Sequence, residues 1–183
     1  VFGPEGTYSY DTPYFGANFW EDWERPIHFS FYENNSEESV KFNAGVKIFG
    51  GWSRGQNGQR SLALFARGQY GDSKFEHSFF DHLNYNDFEA FIIRNSGQDW
   101  LMSSMKDIML TSLMRGSEMD FQEYNPVATY INGEYWGIHN VREKYDEHHF
   151  FYQYGVAQDE VNLVGVCGEI EEGDNAEYIE ILT

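Results

Sequence analysis

The sequence predicts an α+β fold, a mostly antiparallel sheet with one main helix. Three observations carry this prediction. Short runs of alternating apolar residues recur through the first half of the chain and again near residue 130. Asn132-Gly133 separates two of these runs, the composition of a two-residue hairpin turn. One longer stretch, Leu101 to Leu113, repeats its apolar residues at a period of 3.6.

Residues 1–24 are aromatic, acidic and glycine-spaced, and read as an extended lead-in packed by its rings. Pro26–Tyr32 alternates as a strand, and Glu33–Ser39 is a polar turn. Val40–Phe49 is a second strand, with cations on alternate positions. The glycine-rich turn Gly50–Ser61 follows, and Arg60–Arg67 is its antiparallel partner. Phe75–Phe80 is a short element and Phe88–Arg94 a further strand. Ser96 and Asp99 have capping-box spacing, so the main helix is expected to start there and run to about Met114. Leu101, Met102, Met105, Ile108, Met109 and Leu113 would be its core face, the methionines filling gaps. Val127–Ile131 and Glu134–Val141 form the hairpin around Asn-Gly. Asp146 opens a short helix ending at Gly155, Val161–Val166 is one more strand, and Glu169–Glu180 is acidic and ambiguous.

Charge is unevenly placed. From Ser39 to Gly71 there is no acid, while Lys41, Lys47, Arg54, Arg60 and Arg67 give the window +5 in a chain of net charge −18. Such a clearing around a glycine-rich turn suits an anion, with phosphate the first candidate; an uneven composition arising by chance is the alternative. The overall acidity excludes general binding to nucleic acid or to anionic membranes. No segment approaches 18 apolar residues, so membrane insertion is not expected. With 19% aromatic residues, the 183-residue chain can bury a sizeable core as one domain or one lobe. Val1 in place of an initiator methionine reads as a cut end, Cys167 has no internal disulfide partner, and Asn34-Asn35-Ser36 is a glycosylation triplet of a common kind.

The element order resembles the amino-terminal lobe of a protein kinase, where a glycine-rich hairpin covers nucleotide phosphates and a helix braces the sheet. The blocks Trp23–Pro26, Ala44–Arg54, Gln59–Gly71, Ile93–Trp100 and Tyr130–Asp146 together resemble the CotH kinase family, atypical bacterial protein kinases that are secreted or associated with spore coats. The resemblance covers about Trp23 to Val166, so residues 1–24 are the lead-in and 25–183 the amino-terminal part of a CotH-like domain. It implies transfer of a phosphoryl group from ATP, with Mg or Mn, to Ser or Thr of a protein acceptor, and a secreted or cell-surface location with possible coat assembly. Two departures stand out. The family's usual Lys after the glycine turn is here Arg60, in Gln59-Arg60-Ser61. The family's catalytic and metal-binding Asp residues belong to a carboxy-terminal lobe that this sequence does not reach. The chain alone is therefore expected to be inactive.

Gly50, Gly51, Gly55 and Gly58 would let backbone N–H groups approach an anion; an ordinary flexible hairpin is the alternative. Ser53, Arg54 and Arg60 are the candidate phosphate contacts, against solvated surface side chains. Arg94, ending a strand before the helix, is a further contact or the inner cation paired with Asp107, the acid well inside the helix; an exposed Asp107 is the alternative. Glu143 falls where a kinase chain crosses between lobes, and the backbone of Arg142–Tyr145 would read an adenine edge. Two decoys are set aside. Asp81–Asn86 followed by Asp87-Phe88-Glu89 imitates kinase catalytic motifs but precedes the helix and hairpin. Glu143, His148 and His149 imitate a metal cluster, but adjacent helical histidines point about 100° apart. A non-catalytic module that binds carbohydrate or protein through exposed Trp20, Trp23 and Trp52 is the competing function.

Overall fold

The computed structural model describes residues 14–33, 38–56, 58–165 and 168–183. The glycosylation triplet, Cys167 and the end of the last expected strand lie outside these. Contacts divide the chain into two compact units, Val1–Glu143 and Lys144–Thr183.

The first unit is built on a six-stranded antiparallel sheet in the order β1-β2-β3-β6-β8-β7. Its strands are β1 Arg25–Tyr32, β2 Glu38–Phe49, β3 Ser61–Phe65, β6 Ala90–Arg94, β7 Tyr124–Ile131 and β8 Glu134–Glu143. Between β3 and β6 runs a long aromatic segment holding a two-stranded ladder, β4 Phe75–Glu76 with β5 Asp87–Phe88. Alternation sorts the side chains into two faces. Phe29, Phe42, Ala44, Leu64, Phe91, Ile93 and Val141 lie on one, and Phe75, Phe79, Phe80 and Phe88 of the aromatic segment close over them. The rings meet edge-on or tilted, as their quadrupoles favour: Phe75 and Phe91 centroids are 4.8 Å apart, Phe42 and Phe75 5.2 Å.

The imitation catalytic motif belongs to this core. Phe88 is one of its buried rings, Asp81 is exposed on a turn, and Asp87 faces Lys74 at 3.7 Å. The Asn-Gly turn forms as expected, with both residues at positive φ (52° and 83°), the pair of values a type I′ hairpin requires. Pro126 is tolerated in β7 because β7 is an edge strand.

The main helix differs from expectation. It is short: α2 spans Lys106–Ser112, preceded by a 3₁₀ turn at Gly97–Asp99. Ser96 takes a left-handed conformation (φ 62°) and its hydroxyl donates to Ser104 O at 2.8 Å, so it caps nothing. Asp99 instead reaches forward, accepting from the Met105 and Lys106 amides at 3.1 and 3.0 Å and so capping α2 from a distance. Of the expected core face only Ile108 is buried; Leu101, Met102 and Leu113 are 75%, 85% and 72% exposed. The glycine turn also differs from a plain hairpin. An eleven-residue connection joins Phe49 to its register partner Ser61 and contains a helical turn, α1 Ser53–Gln56.

The second unit holds α3 Glu147–Tyr154, the ladder β9 Leu163–Val164 with β10 Ile170–Glu172, and α4 Ala176–Leu182. Asp146 caps α3, accepting from the His149 amide at 3.3 Å, and Gly155 ends it in the left-handed conformation (φ 71°).

Removing a ring from the closed face leaves a cavity that its neighbours cannot fill. Phe75→Ala is expected to destabilise the protein by about 3–5 kcal/mol in urea unfolding, and Met102→Ala by less than about 0.5 kcal/mol.

Candidate functional site

The opposite face of the sheet is polar towards the end nearest the glycine loop. Register places Arg94 beside Asn140 and Ile92 beside Arg142. Alternation therefore puts Ile92, Arg94, Asn140 and Arg142 together, on the side away from the phenylalanines. Helix α2 meets them there through Asp107. Arg94 Nε donates to Asp107 Oδ2 at 2.9 Å, and Arg142 Nη1 donates to the same oxygen. The expected Arg94–Asp107 pair is thus present, with a second arginine that sequence reasoning missed. Arg94 is about one-third exposed, and its two terminal nitrogens have no hydrogen-bond partner among the described residues.

At the loop, the structure brings Arg54 and Arg60 together. Arg60 Nε donates to Arg54 O at 2.9 Å and Nη1 to Gly58 O at 3.4 Å. Arg54 Nε donates to Gly50 O at 2.9 Å and Nη1 to Trp20 O at 3.5 Å. Neither arginine has a carboxylate partner among the described residues. The lead-in covers both: Phe19 lies under the Arg60 guanidinium at 4.0 Å and Trp20 under Arg54 at 5.6 Å. Burial pushes the Arg60 pKa down from its ordinary value, yet a guanidinium keeps its charge at neutral pH. The same lead-in supplies acids to the window, Asp22 to Lys47 at 3.1 Å and Glu24 to Arg67 at 2.9 Å. Residues 19–24 therefore engage four of the window's five cations. The uneven charge has an internal counterpart that reading the window alone could not reveal.

Two of the four loop glycines have a visible structural reason. Gly50 sits at φ +106°, and a Cβ there would fall 2.7 Å from Ser53 Oγ. Gly58 lies against the Trp100 ring, 3.3 Å from a would-be Cβ. Gly51 has open space around it, and the Ser53 hydroxyl has no hydrogen-bond partner among the described residues.

A buried polar network carries the loop's return to the sheet. Ser61 Oγ donates to Asn95 Oδ1 at 2.9 Å, and the Asn95 amide returns a bond to Ser61 Oγ at 3.0 Å. Gln59 Nε2 donates to Ile138 O at 2.9 Å and lies 3.1 Å from His139 Nδ1. His139 Nε2 lies 3.2 Å from Arg60 O. With Gln59 donating to Nδ1, the ring is neutral and carries its proton on Nε2 towards that carbonyl. Burial is the main cause holding the His139 pKa below its ordinary value.

Glu143 stands apart. Its side chain is on the phenylalanine face, buried, accepting from Tyr85 Oη and from the Glu123 amide at 2.8 Å. Its own backbone is engaged too, its carbonyl by Gln122 at 2.9 Å and its N–H by Glu123 O at 3.4 Å. The structure does not bring it to Arg94 or to the loop, because its strand parity is opposite to that of Arg142. Among the described residues no group of three or more His, Cys, Asp and Glu is placed to hold a metal ion, and no helix is long and apolar enough to cross a membrane.

The loop, the Arg94–Asp107 pair and the hairpin all fall inside residues 46–177, the stretch matched by the family model described as CotH kinase protein. The chain belongs to the CotH kinase family. No curated protein matches it. Membership carries a kinase-like activity as the general expectation.

His139 gives the loop anchor a pH dependence. Its folded pKa is below the unfolded value near 6.5, so below pH 6.5 the unfolded chain takes up the proton first. Stability should fall as pH drops from 7 towards 5, and a His139→Gln variant should show a shallower fall in thermal melts.

Proposed function

We propose that the first unit is the nucleotide-binding part of a protein kinase that transfers the terminal phosphoryl group of ATP to Ser or Thr of a protein. The observation that carries this reading is the Arg94–Asp107 pair. Kinases hold nucleotide phosphates with a cation on a sheet strand, kept in place by an acid on the following helix, beneath a glycine-rich connection. Here Arg94 ends the strand paired to β3, Asp107 is on the next α-helix, and the glycine loop enters that same β3.

The residues fit the phosphates and do not fit the metal. Among the described residues Arg94 engages Asp107 through Nε alone, which would leave both terminal nitrogens to face phosphate oxygens. Arg54, Arg60 and Ser53 would close over the phosphates from the loop with their remaining donors, and Gly51 leaves space for close approach. Bound nucleotide would supply the phosphoryl group, and this unit would bind and orient it. The metal-bridging and base carboxylates that transfer requires have no candidate cluster among the described residues. Mg or Mn would therefore be held outside this group of residues, and no step here runs through it. The acceptor protein, a secreted or cell-surface bacterial location and a role in coat assembly are parts of the same proposal.

A second reading has one observation in its favour. Phe15 and Trp52 are exposed beside the loop, and Phe15 lies 4.9 Å from Trp20 and 6.5 Å from Trp52, a small aromatic platform that suits a sugar ring or a protein side chain.

Calorimetry with ATP and magnesium on the whole chain separates the two. A charge-assisted phosphate contact is worth about 1.5–3 kcal/mol, so Arg94→Ala should lower affinity by roughly one to two decades. Arg54→Ala and Arg60→Ala should cost less, because their donors are partly engaged by carbonyls, and added salt should shrink all three effects. Equal affinity in wild type and Arg94→Ala sinks the nucleotide reading and favours the aromatic platform.

Transfer is a separate matter. The chain by itself should move no radiolabel from ATP to protein above a matched blank. Transfer that disappears in Asp81→Asn would refute this and restore the catalytic role of Asp81–Asn86.

A further inference from the structure

We propose that Arg142 is a positioning residue that fastens α2 to the sheet without any ligand, so that the Arg94–Asp107 pair is permanently assembled. Its guanidinium is almost wholly buried and grips the helix at two points one turn apart. Nη1 donates to Asp107 Oδ2, and Nη2 donates to Thr111 Oγ1 at 3.1 Å. Asp107 and Thr111 are four residues apart, hence stacked on one helix face. Nη2 also donates to Gln122 O at 3.3 Å, tying in the segment that leads to β7. The Thr111 hydroxyl donates to the Asp107 carbonyl at 2.9 Å, so both grip points belong to one hydrogen-bonded turn.

The two arginines differ in what they have left to offer. Arg94 is about one-third exposed and among the described residues bonds to Asp107, whereas Arg142 is inside and bonds to Asp107, Thr111 and the Gln122 carbonyl. A helix held to its sheet by a single exposed ion pair can swing away when that pair breaks, because an exposed pair contributes little. Here the buried arginine prevents this. Loss of Arg94 leaves Asp107 with a buried partner; loss of Arg142 leaves it with an exposed one. Helix α2 has little else to hold it, since Ile108 is its one buried apolar residue. The significance for phosphate binding rests on the nucleotide reading above. The fastening itself does not.

Amide hydrogen exchange on the ligand-free whole chain tests it. Arg142→Met should speed exchange in Lys106–Ser112 by at least about tenfold, while Leu62–Phe65 in β3 exchange as in wild type. Arg94→Met should raise the helix rates less than about threefold. Arg142→Lys keeps the charge but not the fork, and should give helix rates between those of wild type and Arg142→Met. An equal rise in helix and strand would mean a general loss of stability and would overturn the proposal. So would unchanged helix rates, or an Arg94→Met effect as large as that of Arg142→Met. If Arg142→Met does not fold, Arg142→Lys decides: faster helix exchange over a native-like β3 supports the fastening, and wild-type rates refute it. Failure of the unaltered chain to bind ATP would sink the nucleotide reading and leave the exchange pattern to decide the role of Arg142.

Discussion

One constraint shapes the first unit: a single face of the sheet holds most of the buried phenylalanine rings among the described residues. Phe29, Phe42 and Phe91 project from the strands, and Phe75, Phe79 and Phe88 close over them. Fully burying one such ring contributes about 1.5–3 kcal/mol, and the edge-on contacts add to that. With one face sealed, the other is free to be polar. Asn95, Ser96, Asn140 and Arg142 are all buried near that other face or at its loop end, an arrangement that would be destabilising without hydrogen-bond partners. The long segment between β3 and β6 follows from the same constraint, since it supplies the lid of rings.

Charge is divided in a similar way. The acid-free window suggested an external anion, because five cations in a chain of −18 appeared to lack partners. Folding brings Asp22 and Glu24 to two of them and the Phe19 and Trp20 rings to two more. The counter-charges are 25 and 43 residues away in sequence, a distance that no window of composition spans. Part of the basic character is therefore structural. What remains available is narrower: the terminal nitrogens of Arg94, and whatever donors Arg54 and Arg60 retain beside the loop.

Features set by local chemistry were readable from the sequence. Asn-Gly dictates its turn, alternation dictates β1, β2 and β8, and Asp146 with Gly155 brackets α3. The long helix was misread because a 3.6-period pattern identifies a face without saying what covers it. Leu101, Met102 and Met105 keep the pattern, but Ser104 at φ 55° breaks the backbone and Asp99 caps the later turn. The Arg94–Asp107 pair was legible, being one cation at a strand end and one acid inside a helical pattern. Arg142 was not, although a signal existed. In the sequence Asn140-Val141-Arg142-Glu143, Val141 marks the core face, so Arg142 must lie on the face of Arg94 and Glu143 on the face of the phenylalanines. Applied to β8, that parity places Arg142 in the site and takes Glu143 out of it.

The choice of arginine at position 94 follows from the geometry. A guanidinium can donate Nε to one carboxylate oxygen and still present two terminal nitrogens in a fixed plane. An ammonium is a single point, and one that pairs with Asp107 would meet a phosphate only by sharing that point between two anions. Asp107 is already shared, its Oδ2 taken by both arginines. With one acid between two cations the cluster keeps a net charge of about +1, in contrast to a pair that cancels. That residual charge lies on the sheet end next to a loop whose own arginines are stacked on rings and, among the described residues, pair with no carboxylate. Two independent devices thus leave cations at this end of the polar face without one-to-one carboxylate partners among the described residues: an aspartate divided between arginines, and aromatic rings that hold a cation without cancelling it.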